Sequence, residues 1–168
     1  MRKILMVVLF VSWRYAIAQE YSTNATKDYA TDLGQVYGAI RSVEHMKEIC
    51  IEAFPKHQND INAAYRQWRE SYKSFLEEIE NYIKNMMLQK ANGNRKKYAL
   101  ISAAADKEFA KLRGNLKIKM MSKGAESFSE QCMFYSSYVA LPRLNLESYY
   151  GKQMVVIRKG QQPPFNGK

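Results

Sequence analysis

The sequence is short of the residues that most often carry chemistry: it holds two histidines, His45 and His57, and two cysteines, Cys50 and Cys132, in 168 residues. No histidine follows residue 57, so the third and fourth helices assigned below offer no axial ligand to a haem, and Cys-x-x-Cys-His is absent. Gly-x-Ser-x-Gly, His-Glu-x-x-His and a glycine-rich phosphate loop are missing as well, and two histidines leave little material for a nucleophile and its base. Long hydrophobic runs are also lacking. The apolar run Ile4 to Trp13, broken only by Ser12, falls well short of the roughly 20 residues that a transmembrane helix needs. These absences argue against haem electron transfer, against the familiar hydrolytic constellations and against a membrane-spanning chain. No metal and no cofactor is expected, and an enzyme of unrecognised type is the third of three alternatives.

What is present begins with a leader. Arg2 and Lys3 precede the apolar run, and Ala16-Ile17-Ala18 supplies the small residues of a processing site, so residues 1–18 are expected to be a cleavable secretory signal. Arg14 is the one departure from that pattern, and an uncleaved interfacial anchor is the alternative. Loss of Arg2, Lys3 and Arg14 lowers the 26 basic residues to 23 against 16 acidic ones, leaving a mature net charge of +7. The expected location is periplasmic or secreted, where a basic protein meets acidic proteins or anionic envelope components rather than nucleic acid. An oxidising compartment also predicts a structural Cys50–Cys132 bridge, because the two are too far apart for a redox or metal motif.

Apolar periodicity then predicts an all-α fold. Leu33, Val36, Tyr37, Ile40, Val43, Met46, Cys50 and Phe54 recur at steps of three and four, and Pro55 ends that first helix. A stronger stripe, Ile61, Tyr65, Trp68, Tyr72, Phe75, Ile79, Tyr82 and Met86, defines a second helix that stops before Asn92-Gly93-Asn94. A third runs from about Arg95 to Met121 with Tyr98, Ile101, Ala105, Phe109, Leu112 and Met120 inward, and Gly124 is its terminator. The fourth is expected to open with a capping box at Ser127 and Glu130 and to carry Phe128, Cys132, Tyr135 and Val139 toward Pro142. Leu146, Tyr150, Met154 and Ile157 suggest a short fifth helix, although Val155-Val156-Ile157 also suits a strand. The domain should therefore span residues 19–159, with a disordered tail over 160–168 that contains Pro163-Pro164. The expected arrangement is an up-down-up-down four-helix bundle, in which the end of the first helix meets the start of the fourth and the disulfide staples them.

The segment Glu48-Ile49-Cys50-Ile51-Glu52-Ala53-Phe54-Pro55, continued by Ala64-Tyr65-Arg66-Gln67-Trp68, resembles small secreted helical proteins of proteobacteria that carry Cys-x-x-x-Phe-Pro, a Tyr-x-x-Trp helix and a distal second Cys. The resemblance covers the mature chain up to Cys132 and implies a fold and an envelope location, with no activity attached.

Two side-chain groups invite a sharper reading. Glu44, His45, Glu48 and Glu52 share one edge of a helix, but diiron bundles repeat Glu-x-x-His on two helices, whereas here the order is reversed and single; a solvated acidic face is the expectation. Tyr65, Trp68, Tyr72 and Phe75 have helical spacing and are expected to pack in the core rather than line a ligand pocket. Charge is the more informative signal. Residues 19–54 carry a net −3, residues 55–89 are neutral, residues 90–123 carry +8 and residues 124–168 carry +2. In a four-helix bundle the first and third helices are diagonal, so the third should present an unneutralised cationic ridge, with Lys107, Lys111, Arg113, Lys117 and Lys119 as the partner-binding residues. The function expected is that of a non-enzymatic interaction protein, such as an inhibitor, an immunity-like protein or an accessory factor, with a cationic periplasmic holdase as the alternative.

Overall fold

Asp28 starts the first helix by accepting the Thr31 backbone N–H at 2.8 Å, which satisfies one of the free donors of the opening turn. In the computed structural model, which describes residues 24–141 and 144–160, that helix is α1, Tyr29–Ala53. The predicted leader 1–18 and the tail beyond Gly160 lie outside the described residues. Pro55 ends α1 as expected: Phe54 leaves helical geometry at φ −134°, and the chain turns through a single 3-10 turn at Pro55–His57. Then follow α2 (Gln58–Ser71), α3 (Lys73–Ala91), α4 (Arg95–Met121), α5 (Ala125–Met133), α6 (Tyr135–Val139), α7 (Leu146–Tyr149) and α8 (Gly151–Lys159). The described residues are all-helical, with no strand among them.

Two local expectations are corrected and a third is decided between its alternatives. The second predicted helix is two, α2 and α3, meeting at Tyr72. There Tyr72 leaves helical geometry at φ −116° and ψ 19°, although its N–H still reaches the Trp68 carbonyl at 3.2 Å. The fourth predicted helix does not open with a capping box. It starts at Ala125 after Gly124, whose φ of +91° suits glycine, and Ser127 sits inside the first turn, where its hydroxyl accepts from Gln131. That helix is itself interrupted at Phe134. The C-terminal segment resolves in favour of helix over strand, with Gly151 placed at the first position of α8, where it costs little.

Burial explains why α1 is the axis of the molecule. Leu33, Val36, Ile40, Val43, Met46, Ile49 and Cys50 are buried, and no residue from 35 to 51 is exposed, so neighbours cover every side of it. The helices α2, α3, α4, α5, α7 and α8 all touch it. The predicted aromatic stripe is core: Tyr65, Trp68 and Phe75 are buried and Tyr72 is half-buried, with the Trp68 indole N–H donating to the Leu144 carbonyl at 3.2 Å. Buried Tyr135 likewise donates its hydroxyl to the Val43 carbonyl at 3.2 Å, and α8 is fastened by Arg158, which bonds Glu78 of α3 and Glu147 of α7. Cys50 and Cys132 form the expected disulfide, with Cα atoms 5.1 Å apart, joining the end of α1 to α5.

The placing of the basic helix departs from the expected square. The first and third predicted helices, α1 and α4, are direct neighbours and not a diagonal pair. Tyr37 meets Phe109 edge-on at 5.2 Å, Glu48 meets Arg113 and Glu52 meets Lys117, so the contacts advance together and the two helices run parallel.

Candidate interaction surface

The chain enters α4 through a turn built for it. Asn92 and Gly93 have positive φ values of 50° and 70°, and the Gly93 N–H reaches back to the Leu88 carbonyl at 3.2 Å, closing the end of α3. Asn94 then caps α4 by accepting the Lys97 N–H at 3.0 Å. Of the 27 residues of α4 only Met120 is buried. Tyr98, Ile101, Ala105, Phe109 and Leu112, predicted inward, are half-buried against the rest of the molecule, and the Arg41 guanidinium stacks 5.3 Å over the Phe109 ring. The helix lies on the outside of the fold, held by one side.

The five cations expected to bind a partner are not equivalent. Arg113 pairs with Glu48 at 3.2 Å and with Glu52, and Lys117 pairs with Glu52 at 2.6 Å. The hydrogen bonds from Lys117 and Arg113 hold the Glu52 carboxyl below its ordinary range, and Glu52 in turn holds the Arg113 guanidinium above its own. These two cations fasten α4 to α1. Lys111 is bonded to Glu108 one turn before it at 2.7 Å, and Lys119 is half-buried. Lys107 alone of the five is exposed with no salt bridge among the described residues. The acidic first helix thus neutralises part of the basic one, because the two are neighbours.

The free positive charge lies elsewhere on the segment. Lys90 at the end of α3 and Arg95, Lys96 and Lys97 at the start of α4 are exposed, and no salt bridge reaches them among the described residues. With Lys107, and with Lys123 beyond the end of the helix, they are the exposed cations of residues 90–123 that no carboxylate meets among the described residues. Of the five residues expected to bind a partner, only Lys107 belongs to this set.

The outward face of α4 has a second component that periodicity alone did not bring forward. Leu100 is 71% exposed, Ile118 69% and Met121 51%. They fall on the face opposite the half-buried one, together with Lys96, Lys107 and Lys111 and with the small residues Ala103, Ala104, Ala110 and Gly114. Asp106 and Glu108, the only acidic residues of the helix, flank that face without entering it.

The edge at Glu44, His45, Glu48 and Glu52 is not the uniformly solvated one expected. His45 is buried, with Nδ1 3.4 Å from Glu48 and Nε2 without a hydrogen-bond partner, while Glu44 pairs with Arg41 and Glu48 with Arg113. Among the described residues no group of three or more His, Cys, Asp or Glu side chains is placed to hold a metal ion. Asp32 is buried too, its Oδ1 accepting both the backbone N–H and the hydroxyl of Thr26, at 2.8 and 3.0 Å, which folds the residues before α1 onto its first turn. No spacing rule marks either residue as interior.

No family model, no curated protein and no solved structure matches this chain. The arrangement therefore speaks through its own chemistry, that of a cationic helix attached by one side. No helix among the described residues is long and apolar enough to cross a membrane.

Proposed function

We propose that this is a non-enzymatic interaction protein, secreted or periplasmic, that presents α4 and the turn before it to an anionic partner. The observation that carries the reading is the separation of the cations of residues 90–123 into two sets, one fastening α4 to Glu48 and Glu52, the other, at Lys90, Arg95, Lys96, Lys97 and Lys107, exposed and without a salt bridge among the described residues. An inhibitor, an immunity-like protein and an accessory factor all suit such a surface, since clustered charge speeds encounter and selects partners of opposite sign. The leader at residues 1–18, the paired cysteines and the resemblance to secreted helical proteins of proteobacteria support the location.

The test is the salt dependence of binding to an acidic polypeptide, poly-glutamate. The parent should bind at low ionic strength and weaken as salt shortens the screening length to about 8 Å under physiological conditions. Absence of binding at low salt, or binding indifferent to salt, contradicts the reading. The exposed Leu100, Ile118 and Met121 favour one second reading, a cationic holdase. In that case the protein suppresses aggregation of an unfolding client in a refolding assay at physiological salt, where purely electrostatic binding is weak.

A further inference from the structure

We infer that the outward face of α4 docks on an anionic lipid bilayer, lying in the plane of the surface with its lysines at the headgroups and Leu100, Ile118 and Met121 entering below them. This rests on the reading of α4 as the surface offered to an anionic partner, and it names the partner. Charge alone does not distinguish a lipid surface from an acidic protein; the distribution of apolar side chains does. Leu100, Ile118 and Met121 are the exposed large apolar residues of α4, and a rotation of 100° per residue puts all three on one face. Leu100 and Ile118 stand 18 positions apart, about 27 Å along the axis, and Lys107 and Lys111 lie between them on the same line.

A water-facing helix surface that tolerates carboxylates elsewhere in this protein has none on this face, although α1 and α3 carry several. An acid-free strip of lysine and branched apolar side chains is complementary to an interface that is negative at the phosphates and apolar a few ångströms deeper. Attachment of α4 by one side is compatible with this, since the half-buried residues and the Arg113 and Lys117 ion pairs keep the helix formed and oriented before it meets the surface. The docking is therefore peripheral: no segment spans, and the apolar side chains reach only into the boundary layer.

The experiment uses the full folded chain with vesicles of zwitterionic lipid alone and of zwitterionic lipid containing about one third anionic lipid, and with poly-glutamate as a non-lipid anion. The parent should partition onto the anionic vesicles and not the neutral ones. The substitutions Leu100→Asn with Ile118→Asn should lower that partitioning about tenfold or more and leave poly-glutamate binding unchanged, while each of Lys96→Gln and Lys107→Gln should lower it about fivefold or less. All these side chains are exposed, so circular dichroism should match the parent, and the asparagine pair should lower the melting temperature by only a few degrees through helix propensity. Gly114→Leu separates lipid from a partner helix: a bilayer accepts the larger side chain with equal or stronger binding, whereas a helix packed against Gly114 is displaced by it. Vesicle binding unaffected by the asparagine pair, or poly-glutamate binding with no vesicle binding, overturns the lipid assignment and leaves the broader reading of α4 standing. Failure to bind either anion removes both.

Discussion

Replacement of both cysteines, Cys50→Ala with Cys132→Ala, tests how this fold is held together. The bridge spans 82 residues of sequence, and closing a loop of that length restricts the unfolded chain by about 4.5 kcal/mol on the loop-entropy account. The bonded pair also has a packing role, because both side chains are buried and α5 contributes only Phe128 and Cys132 to the core. Without the bridge α5 is held mainly by Phe128, whose ring lies 5.5 Å from that of Phe54. A loss of about 3–5 kcal/mol is therefore expected, and a fall in melting temperature of more than about 10 °C for a domain of this size. Urea unfolding of parent and double variant, with and without reductant, measures it, and reduction of the parent should reproduce the variant. Amide exchange should show α5 opening before α1. A double variant within about 1 kcal/mol of the parent refutes the argument, since it means that the unfolded chain is already confined or that α5 is secured by contacts not described above.

Other expectations concern single side chains. Trp68→Phe removes the indole N–H from the buried Leu144 carbonyl and should cost about 1–2 kcal/mol in urea unfolding, with no change in helix content. Glu78 is held below the ordinary carboxyl value of 4.5, chiefly by its hydrogen bond from Arg158, so the folded state binds that proton more weakly than the unfolded chain does. Its contribution is present above pH 4.5 and lost as pH falls through the lower folded value; the stability difference between parent and Glu78→Gln, followed from about pH 6 to pH 3, should shrink toward zero. Gly114→Ala meets nothing within 4 Å of the added carbon and should stabilise the exposed middle of α4 by about 0.5–1 kcal/mol, read as a rise in melting temperature.

The sequence told more about which residues are inside than about how the helices sit together. The stripes that begin at Leu33, Ile61 and Tyr98, the breaks at Pro55 and Asn92-Gly93 and the pairing of Cys50 with Cys132 were all legible, because each is a local pattern or a choice between two thiols. The helix order around α1 was not, since periodicity identifies an apolar face without naming its neighbour. That one omission changes the charge count: with α1 and α4 taken as diagonal, Arg113 and Lys117 count as free cations, and only their proximity to Glu48 and Glu52 shows that they are paired. The break at Tyr72 carries neither proline nor glycine, so periodicity passes through it. His45 was misjudged for a related reason. Its carboxylate neighbours in sequence suggested solvent, but α1 is covered on all sides along that stretch.

The division of the cations into free and spent sets is the central claim, and one comparison of affinities tests it. Arg95→Gln, Lys96→Gln, Lys97→Gln and Lys107→Gln remove four positive charges that no carboxylate neutralises among the described residues, whereas Arg113→Gln and Lys117→Gln remove two that are already bonded to α1. Affinity for poly-glutamate at low salt should fall about tenfold or more for the first variant, at roughly 0.2–1 kcal/mol per exposed contact, and change by less than about threefold for the second. A second variant that loses as much affinity as the first, or a first variant that binds as tightly as the parent, contradicts the account.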